Sequence, residues 1–194
     1  MRGAILVALL MLPGAAQAAG ERADVPELVQ HDTAVGDFVQ RRELPELERP
    51  IVSRGRFAYS ARRGLLWLIE EPVESRLVID AEGVHQDGEP VRGSGALEAI
   101  RPLLESLFRG DLAPLEDGFS VTREDAGEGW RLVLDPRDDQ LARALDRVII
   151  EGVDTPRRLV ITTSDGDRTE LEFTDVTHPE RLDEALIQAF ERVR

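Results

Sequence analysis

The stretch RGLLWLIEEP, residues 63–72, interrupts the alternation of apolar and polar side chains that is typical of a half-buried strand. Its five consecutive apolar residues, 65–69, are too few to favour a helix, and Pro72 prevents a helix from continuing. We therefore interpret the stretch as a strand whose two faces are both apolar. One face would point into the protein. The other needs a cover, either a helix such as the C-terminal one or a partner protein.

Segments with strand patterns recur along most of the chain, separated by turn sequences such as Asp80–Gly83, Gln86–Gly88 and Ser164–Asp167. Strand signals at intervals of about 8 to 14 residues predict a meandering antiparallel sheet of roughly eight to ten strands. Besides the opening stretch, the predicted strands are 38–42, 55–60, 76–80, 118–123, 130–134, 147–153, 158–163 and 169–175.

Three segments follow helical spacing instead, which predicts two or three amphipathic helices. The middle helix would end before Gly110, and the terminal helix would begin at Thr177–Glu180, which resembles a capping box. The apolar positions that define these helices are Val25, Leu28 and Val29, then Leu97, Ile100, Leu104, Leu107 and Phe108, then Leu182, Leu186, Ala189, Phe190 and Val193.

A twisted sheet of this size tends to curl, and apolar helices can then fill its concave face or cover a cavity there. The predicted fold class is therefore mainly β (α+β), a curved, incomplete antiparallel β-barrel covered by two or three amphipathic helices. At 194 residues the chain is long enough for one domain of ordinary size. We expect a signal peptide over residues 1–18 and a single domain over residues 19–194.

The expected signal peptide begins with Met1 and Arg2, continues with the apolar run 4–12 and ends in the small-residue pattern Ala16-Gln17-Ala18. The run is shorter than the roughly 20 apolar residues that span a bilayer, so a removable signal is favoured over an uncleaved anchor. The chain has no cysteine. It can therefore form no disulfide and offers no cysteine for lipid attachment at the cleavage point. We expect a soluble, exported mature protein.

The formal net charge of -14 argues against nucleic-acid binding and against adsorption to an anionic membrane by charge alone. His31, His85 and His178 lie too far apart in the sequence for the usual spacing of zinc ligands. No Gly-x-Ser-x-Gly elbow is present, and carboxylate pairs are too common in this acidic chain to single out a catalytic dyad. We therefore expect no catalytic residues, no metal, no cofactor and no enzyme activity.

Apolar residues on one alternating face of the predicted strands form the most extensive candidate site. If the sheet curves, they would line a hydrophobic cavity suited to acyl chains, although an ordinary core would use the same residue types. The candidate lining consists of Phe57, Tyr59, Leu65, Trp67, Ile69, Leu77, Ile79, Trp130, Leu132, Leu134, Leu159, Ile161, Leu171 and Phe173.

Several short motifs make the chain similar to the periplasmic outer-membrane lipoprotein carrier family, LolA. The motifs are Phe38-Val39-Gln40, Gly55-Arg56-Phe57, Arg62-Arg63-Gly64-Leu65-Leu66-Trp67, Glu71-Pro72 and Leu77-Val78-Ile79-Asp80. The resemblance extends over most of the chain after the signal peptide. It implies an unclosed antiparallel barrel whose mouth is covered by helices, with no reaction and no cofactor.

The resemblance also implies a function, since in that family the apolar interior carries the acyl chains of a lipoprotein from the inner membrane to an outer-membrane receptor. For this chain it implies acylated lipoprotein or glycolipid cargo. An inner-membrane release complex and an outer-membrane receptor would be the partners of a monomer. The implied helical lid contains Ile100, Leu104 and Leu107, and hydrogen bonds from Arg62 or Arg63 would hold it shut.

One strand departs from the family pattern. Where the family has polar residues on the outer face of the strand around Trp67, this chain has Leu66 and Leu68. The departure suggests an additional contact on the convex side of the sheet, as the opening stretch already indicated.

Three function classes stay open at the level of sequence. A periplasmic lipid carrier, the reading we favour, should have a dry cavity of several hundred Å3. A periplasmic sensor or adaptor that binds a protein partner on the same curved sheet should have a filled interior and an exposed apolar patch. A hydrolase with an unrecognised site should place buried, pKa-shifted carboxylates in a cleft.

Overall fold

The computed structural model describes residues 25–91 and 95–191, and the expected signal peptide lies outside them. The described chain forms eleven strands and four helices. The strands are β1 Thr33–Glu43, β2 Ile51–Ser60, β3 Gly64–Glu71, β4 Ser75–Asp80, β5 Gly83–Gln86, β6 Glu89–Pro90, β7 Phe119–Ala126, β8 Gly129–Pro136, β9 Leu145–Gly152, β10 Pro156–Thr163 and β11 Arg168–Thr177. The helices are α1 Gly95–Arg109, α2 Leu115–Gly118, α3 Asp139–Ala142 and α4 Glu184–Glu191.

All these strands belong to one antiparallel sheet with the order β6-β5-β4-β3-β2-β1-β11-β10-β9-β8-β7. The first and last strands, β1 and β11, pair at its centre. The edge strands β6 and β7 do not pair with each other, so the sheet is open over the described residues. The predicted mainly β fold is confirmed, with one strand more than the predicted range because of the two-residue β6.

The sheet curves around helix α1. This helix contacts both β5, next to one edge of the sheet, and β10, six strands further along the order. In a flat sheet these two strands would lie about 29 Å apart, longer than a 15-residue helix of about 22 Å. Side chains from both halves of the sheet therefore converge on one concave core, as the curled-sheet prediction required.

The convex side of β2–β4 is covered by the C-terminal helix α4. Ala58, Leu66 and Val78 of the sheet are almost completely buried there against Leu182 and Phe190. Leu68 is partly buried in the same cluster. The second apolar face of RGLLWLIEEP thus packs under a helix of the same chain, which confirms the expected contact on the convex side.

Two of the helix predictions are wrong: one helix is absent, and another begins at a different residue. The short helix predicted from Val25 is absent, because residues 25–32 form neither helix nor strand and β1 begins at Thr33. Pairing of β1 with strands on both sides overrides the weak local helical spacing. The terminal helix begins at Glu184 instead of the predicted capping box, with the Asp183 carboxylate accepting the N–H of Leu186 at 2.8 Å.

Candidate functional site

The structure brings the fourteen candidate lining residues together on the concave face of the sheet. They belong to a single apolar cluster in which twelve are buried and Ile69 and Leu77 are partly buried. Successive strand residues point to opposite faces of a sheet. The candidate residues come from the same alternating face of each strand, so they all lie on one side. The twelve buried members are Phe57, Tyr59, Leu65, Trp67, Ile79, Trp130, Leu132, Leu134, Leu159, Ile161, Leu171 and Phe173.

Helix α1 packs against this lining through its own apolar face. Its aromatic residue Phe108 stacks on Phe57 at a ring-centroid distance of 4.3 Å and meets the edge of Phe173 at 5.4 Å. Such aromatic contacts add specific geometry to the burial of apolar area. Between residues 100 and 109 of α1, the buried residues are Ile100, Leu103, Leu104, Leu107 and Phe108, with Ser106 as a buried polar neighbour.

The space between α1 and the sheet is filled. The apolar cavity beside Leu107, Phe108 and Phe173 has a volume of about 20 Å3, which is room for about one water molecule and far too little for an acyl chain. The face that the sequence analysis treated as a cavity lining is therefore packed core in this closed arrangement. An acyl chain could reach it only if α1 moved away.

Within the part of the chain that the structure describes, few polar bonds tie α1 to the rest of the molecule. Arg109 Nε donates to the Tyr59 hydroxyl at 3.2 Å, and Arg101 Nη1 donates to the backbone oxygen of Asp80 at 3.2 Å. The backbone N–H of His31 donates to the Arg109 carbonyl at 2.9 Å. The hydrogen bond to Tyr59 raises the pKa of Arg109. Within the helix, Pro102 lacks an N–H, which removes one bond from its ladder.

Two histidines stack where the segment before β1 meets the end of β11. The rings of His31 and His178 are 3.6 Å apart between centroids and tilted by 9°. His178 Nδ1 donates to the Thr33 carbonyl at 3.1 Å. Burial lowers the pKa of His31, and the neighbouring charge of His178 lowers it further. Their separation in sequence hid this pair, since only β1–β11 pairing brings them together.

Two open cavities flank the turn between β2 and β3. The rim cavity, of about 310 Å3, is lined by Tyr59–Gly64, Asp80–Glu82 and the polar residues Arg101, Glu105 and Arg109 of α1. The outer cavity, of about 530 Å3, lies on the other side of the turn, toward 180–182 and Ile187. Both are open to solvent and have charged side chains in a mixed lining, so neither is the enclosed apolar cavity that the sequence predicted.

The sequence and the fold lead to a family assignment. Residues 30–189 match the family described as outer membrane lipoprotein carrier protein LolA, which is more than half of the chain. The chain belongs to the LolA family. No curated protein sequence matches it significantly.

Three solved structures are similar to this chain at low sequence identity. A LolA superfamily protein from Nitrosomonas europaea is 11% identical with a TM-score of 0.38, over 82% of this chain and 91% of that one. An outer membrane lipoprotein-sorting protein domain from Vibrio parahaemolyticus is 10% identical with a TM-score of 0.38, over 84% and 92%. A chain of the Pseudomonas aeruginosa MucA/MucB complex is 14% identical with a TM-score of 0.44, over 82% and 56%. This chain thus spans about half the length of the last one, and scores this low carry no weight for function.

The lid arginines expected from the LolA resemblance make other contacts. Arg63 Nη1 pairs with Glu191 of α4 at 3.3 Å, and the backbone N–H of Arg62 donates to Ser60 Oγ at 3.4 Å. Among the described residues, the side-chain bonds that hold α1 come from its own Arg101 and Arg109. Sequence analysis missed these two, although their spacing of eight residues places them on one helix face.

Neither a membrane-spanning helix nor a metal site is found in the described part of the chain. None of its helices has the length and apolar character to cross a membrane. Over the same residues, no three histidine, aspartate or glutamate side chains are grouped so that they could hold a metal ion.

Proposed function

We propose that this LolA-family protein is a periplasmic carrier that binds acyl chains between α1 and the concave face of the sheet. Its cargo would be a lipoprotein or a related lipid, taken from an inner-membrane release complex and handed to an outer-membrane receptor. One observation carries the proposal. An amphipathic helix covers a continuous apolar face, and over the described residues it is attached mainly by apolar packing and by few hydrogen bonds.

An exchange of α1 for an acyl chain is energetically feasible. Exposing the five apolar side chains that are buried between residues 100 and 109 of α1 costs about 10 kcal/mol, at about 2 kcal/mol each. A chain of about 15 methylenes gains about 12 kcal/mol when it leaves water. Since these two amounts nearly cancel, cargo can displace the helix reversibly, and a carrier must release what it binds.

The proposal predicts that cargo binding exposes the face of α1 that is buried against the sheet. The chain contains no cysteine, so Leu104→Cys introduces a single thiol at the buried face of the lid. We expect the thiol to react slowly with a maleimide in the unliganded protein and at least about tenfold faster when a lipopeptide with long acyl chains is added. Mass spectrometry of lipid extracted from the purified protein provides an independent readout.

Leu66→Cys is the matched control, because Leu66 is equally buried but lies under α4 on the convex side. Its reactivity should not change with lipopeptide if only α1 moves. Protection of the Leu104→Cys thiol at saturating lipopeptide, together with no extractable lipid, would contradict the carrier function.

A second candidate function, a periplasmic adaptor that binds a protein partner, is favoured by the filled interior. Apolar residues are also exposed around the β1–β2 connection: Leu47 is 47% exposed, Ile51 43% and Val52 37%. For an adaptor, Leu47→Ser combined with Ile51→Ser should abolish partner capture and leave lipid binding unchanged. For a carrier that holds cargo only under α1, substitutions in α1 should weaken lipid binding and leave partner capture unchanged.

A further inference from the structure

The segment before β1, residues 25–32, lies against the C-terminal end of α1. The backbone N–H of His31 donates to the Arg109 carbonyl at 2.9 Å. Gly110 follows with a φ of +78°, and a Cβ at this position would come within 2.4 Å of the Val29 carbonyl oxygen. Glycine therefore allows the segment to pass directly against the end of the helix, and one backbone hydrogen bond joins the two.

The same segment is fastened to the sheet by the stack of His31 on His178, which we call the histidine latch. His178 Nδ1 donates to the carbonyl of Thr33, the first residue of β1. Because a carbonyl only accepts, Nδ1 carries the proton of the neutral ring. The other ring nitrogen, Nε2, is buried and has no hydrogen-bond partner among the described residues, so a second proton would find no acceptor there. The latch is thus built for two neutral imidazoles.

The histidine latch borders the apolar space beneath α1. His178 lines the small cavity of about 20 Å3 together with Leu107, Phe108 and Phe173. Leu107 and Phe108 belong to the last turn of α1, next to the carbonyl that His31 holds. Release of the latch would therefore loosen the helix at the end where this cavity lies.

The charged groups beside the latch lie on the segment itself, on the end of α1 and just after β11. Asp32 on the segment and Asp111 after α1 both act on the guanidinium of Arg109. The charge that shifts the pKa of His31 is that of His178, and it lowers this pKa in the same direction as burial does. A proton on His31 is therefore opposed by the ring on which it stacks.

We infer that the histidine latch keeps the C-terminal end of α1 closed at neutral pH and releases it in mild acid. The inference rests on the proposed movement of α1 and adds a regulation of that movement. A protonated His31 regains its hydration when it leaves the stack, and the segment then no longer holds the Arg109 carbonyl in place. Because the closed latch binds the proton less readily than a free imidazole does, a falling pH favours the released state.

Labelling of the Leu104→Cys thiol tests the inference without any lipid. The maleimide reaction rate of the folded protein is divided by that of the denatured protein at the same pH, which removes the effect of thiol ionisation. The quotient measures how often the buried face of α1 opens. We expect it to rise about two- to fivefold between about pH 7.5 and 5.5.

Two variants made in the Leu104→Cys background remove the titrating group. His31→Phe keeps an aromatic ring and the backbone N–H but cannot be protonated, so its quotient should be the same at both pH values. His31→Gln also cannot be protonated and loses the stack. It should open more often than the parent at neutral pH and should likewise show no response to acid. Leu66→Cys, buried under α4, is the matched control and should give a quotient that does not change with pH.

Each remaining outcome decides the inference. A parent quotient that is independent of pH overturns it, and so does a response of both His31 variants that equals that of the parent. A rise of the same size at Leu66→Cys would mean that the whole fold loosens in acid, which also overturns the latch. The carrier function fails separately, if added lipopeptide does not speed the labelling of Leu104→Cys at either pH while the response to acid is present.

Discussion

On the convex side of the sheet, strands β2–β4 lie under helix α4, whereas strands β7–β11 lie under a ladder of ion pairs. In the first region Leu66 and Val78 contact Phe190, and almost no water reaches them. In the second region charged side chains of neighbouring strands pair across the sheet surface. Both regions bury their opposite face in the same core.

The ladder runs through consecutive strands. Arg131 of β8 pairs with Glu124 of β7 at 2.9 Å and with Glu151 of β9, and Arg158 of β10 pairs with Glu151 and with Glu170 of β11, each at 2.9 Å. Arg158 lowers the pKa of the Glu170 carboxylate through its hydrogen bond and its positive charge, and Arg168 does the same. Burial of Glu170 acts in the opposite direction.

A small apolar row lies beside these charges. Val133 and Val160 are 9% and 4% exposed on the convex side, in register with Ile149 between them. The aliphatic stems of long arginine side chains can cover such a row while their charged ends stay in water. The comparison indicates that a short apolar row on an outer face can be covered by arginine stems, whereas the longer apolar surface of β2–β4 lies under a helix.

The largest expected loss of stability comes from a substitution in the helix-covered region. Leu66→Ala should lower the free energy of unfolding by about 3 kcal/mol, because it removes a fully buried side chain between β3 and α4. Urea denaturation followed by circular dichroism measures the change. Val133→Ala, the counterpart on the ladder side, should cost about 1 kcal/mol. Equal losses for the two variants would mean that α4 covers the sheet no better than arginine stems do.

A smaller effect is expected from the ladder. Glu151→Gln removes the carboxylate shared by Arg131 and Arg158, whose side-chain exposure of 26% leaves it partly screened by water. We expect a loss of about 1 kcal/mol that shrinks as salt is added.

The matched control is Glu71→Gln, since the pair of Glu71 with Arg54 is 3.5 Å long and both side chains are more than 60% exposed. It should change the stability by less than about 0.3 kcal/mol. If the Glu151→Gln loss were independent of salt, packing and not charge would explain the ladder.

The sequence predicted the two regions unequally well, for physical reasons. Alternation in Trp130–Leu134 and the unbroken run 65–69 reveal which faces are apolar, because side chains alternate along a strand. The covering helix at Leu66 could also be anticipated. The size of the cavity could not, because the same apolar residues line an open space or pack against α1, and only packed coordinates distinguish these states.

Contacts between distant segments were the other limit. The bonds of Arg101 and Arg109 to the sheet depend on how α1 crosses it, and no local pattern contains that information. The same holds for His31 and His178, which are brought together by pairing of the first and last strands. Local spacing also misplaced the start of the terminal helix at Thr177, because β11 continues to that residue.

The smallest expected effect concerns the junction of the two regions, where the His31 and His178 rings stack between the start of β1 and the end of β11. Burial, then the charge of His178, lowers the pKa of His31 below its ordinary value of 6.5. The folded protein therefore binds this proton less readily than the unfolded chain, and the stability contributed by neutral His31 is lost as the pH falls below about 6.5. Between about pH 7.5 and 5.5 the loss should stay under about 1 kcal/mol, because the ring is only partly shielded from water. His31→Gln should flatten this part of the stability profile in urea titrations. A profile of His31→Gln that follows the parent protein would show that another group, and not the stacked pair, responds to acid at the centre of the sheet.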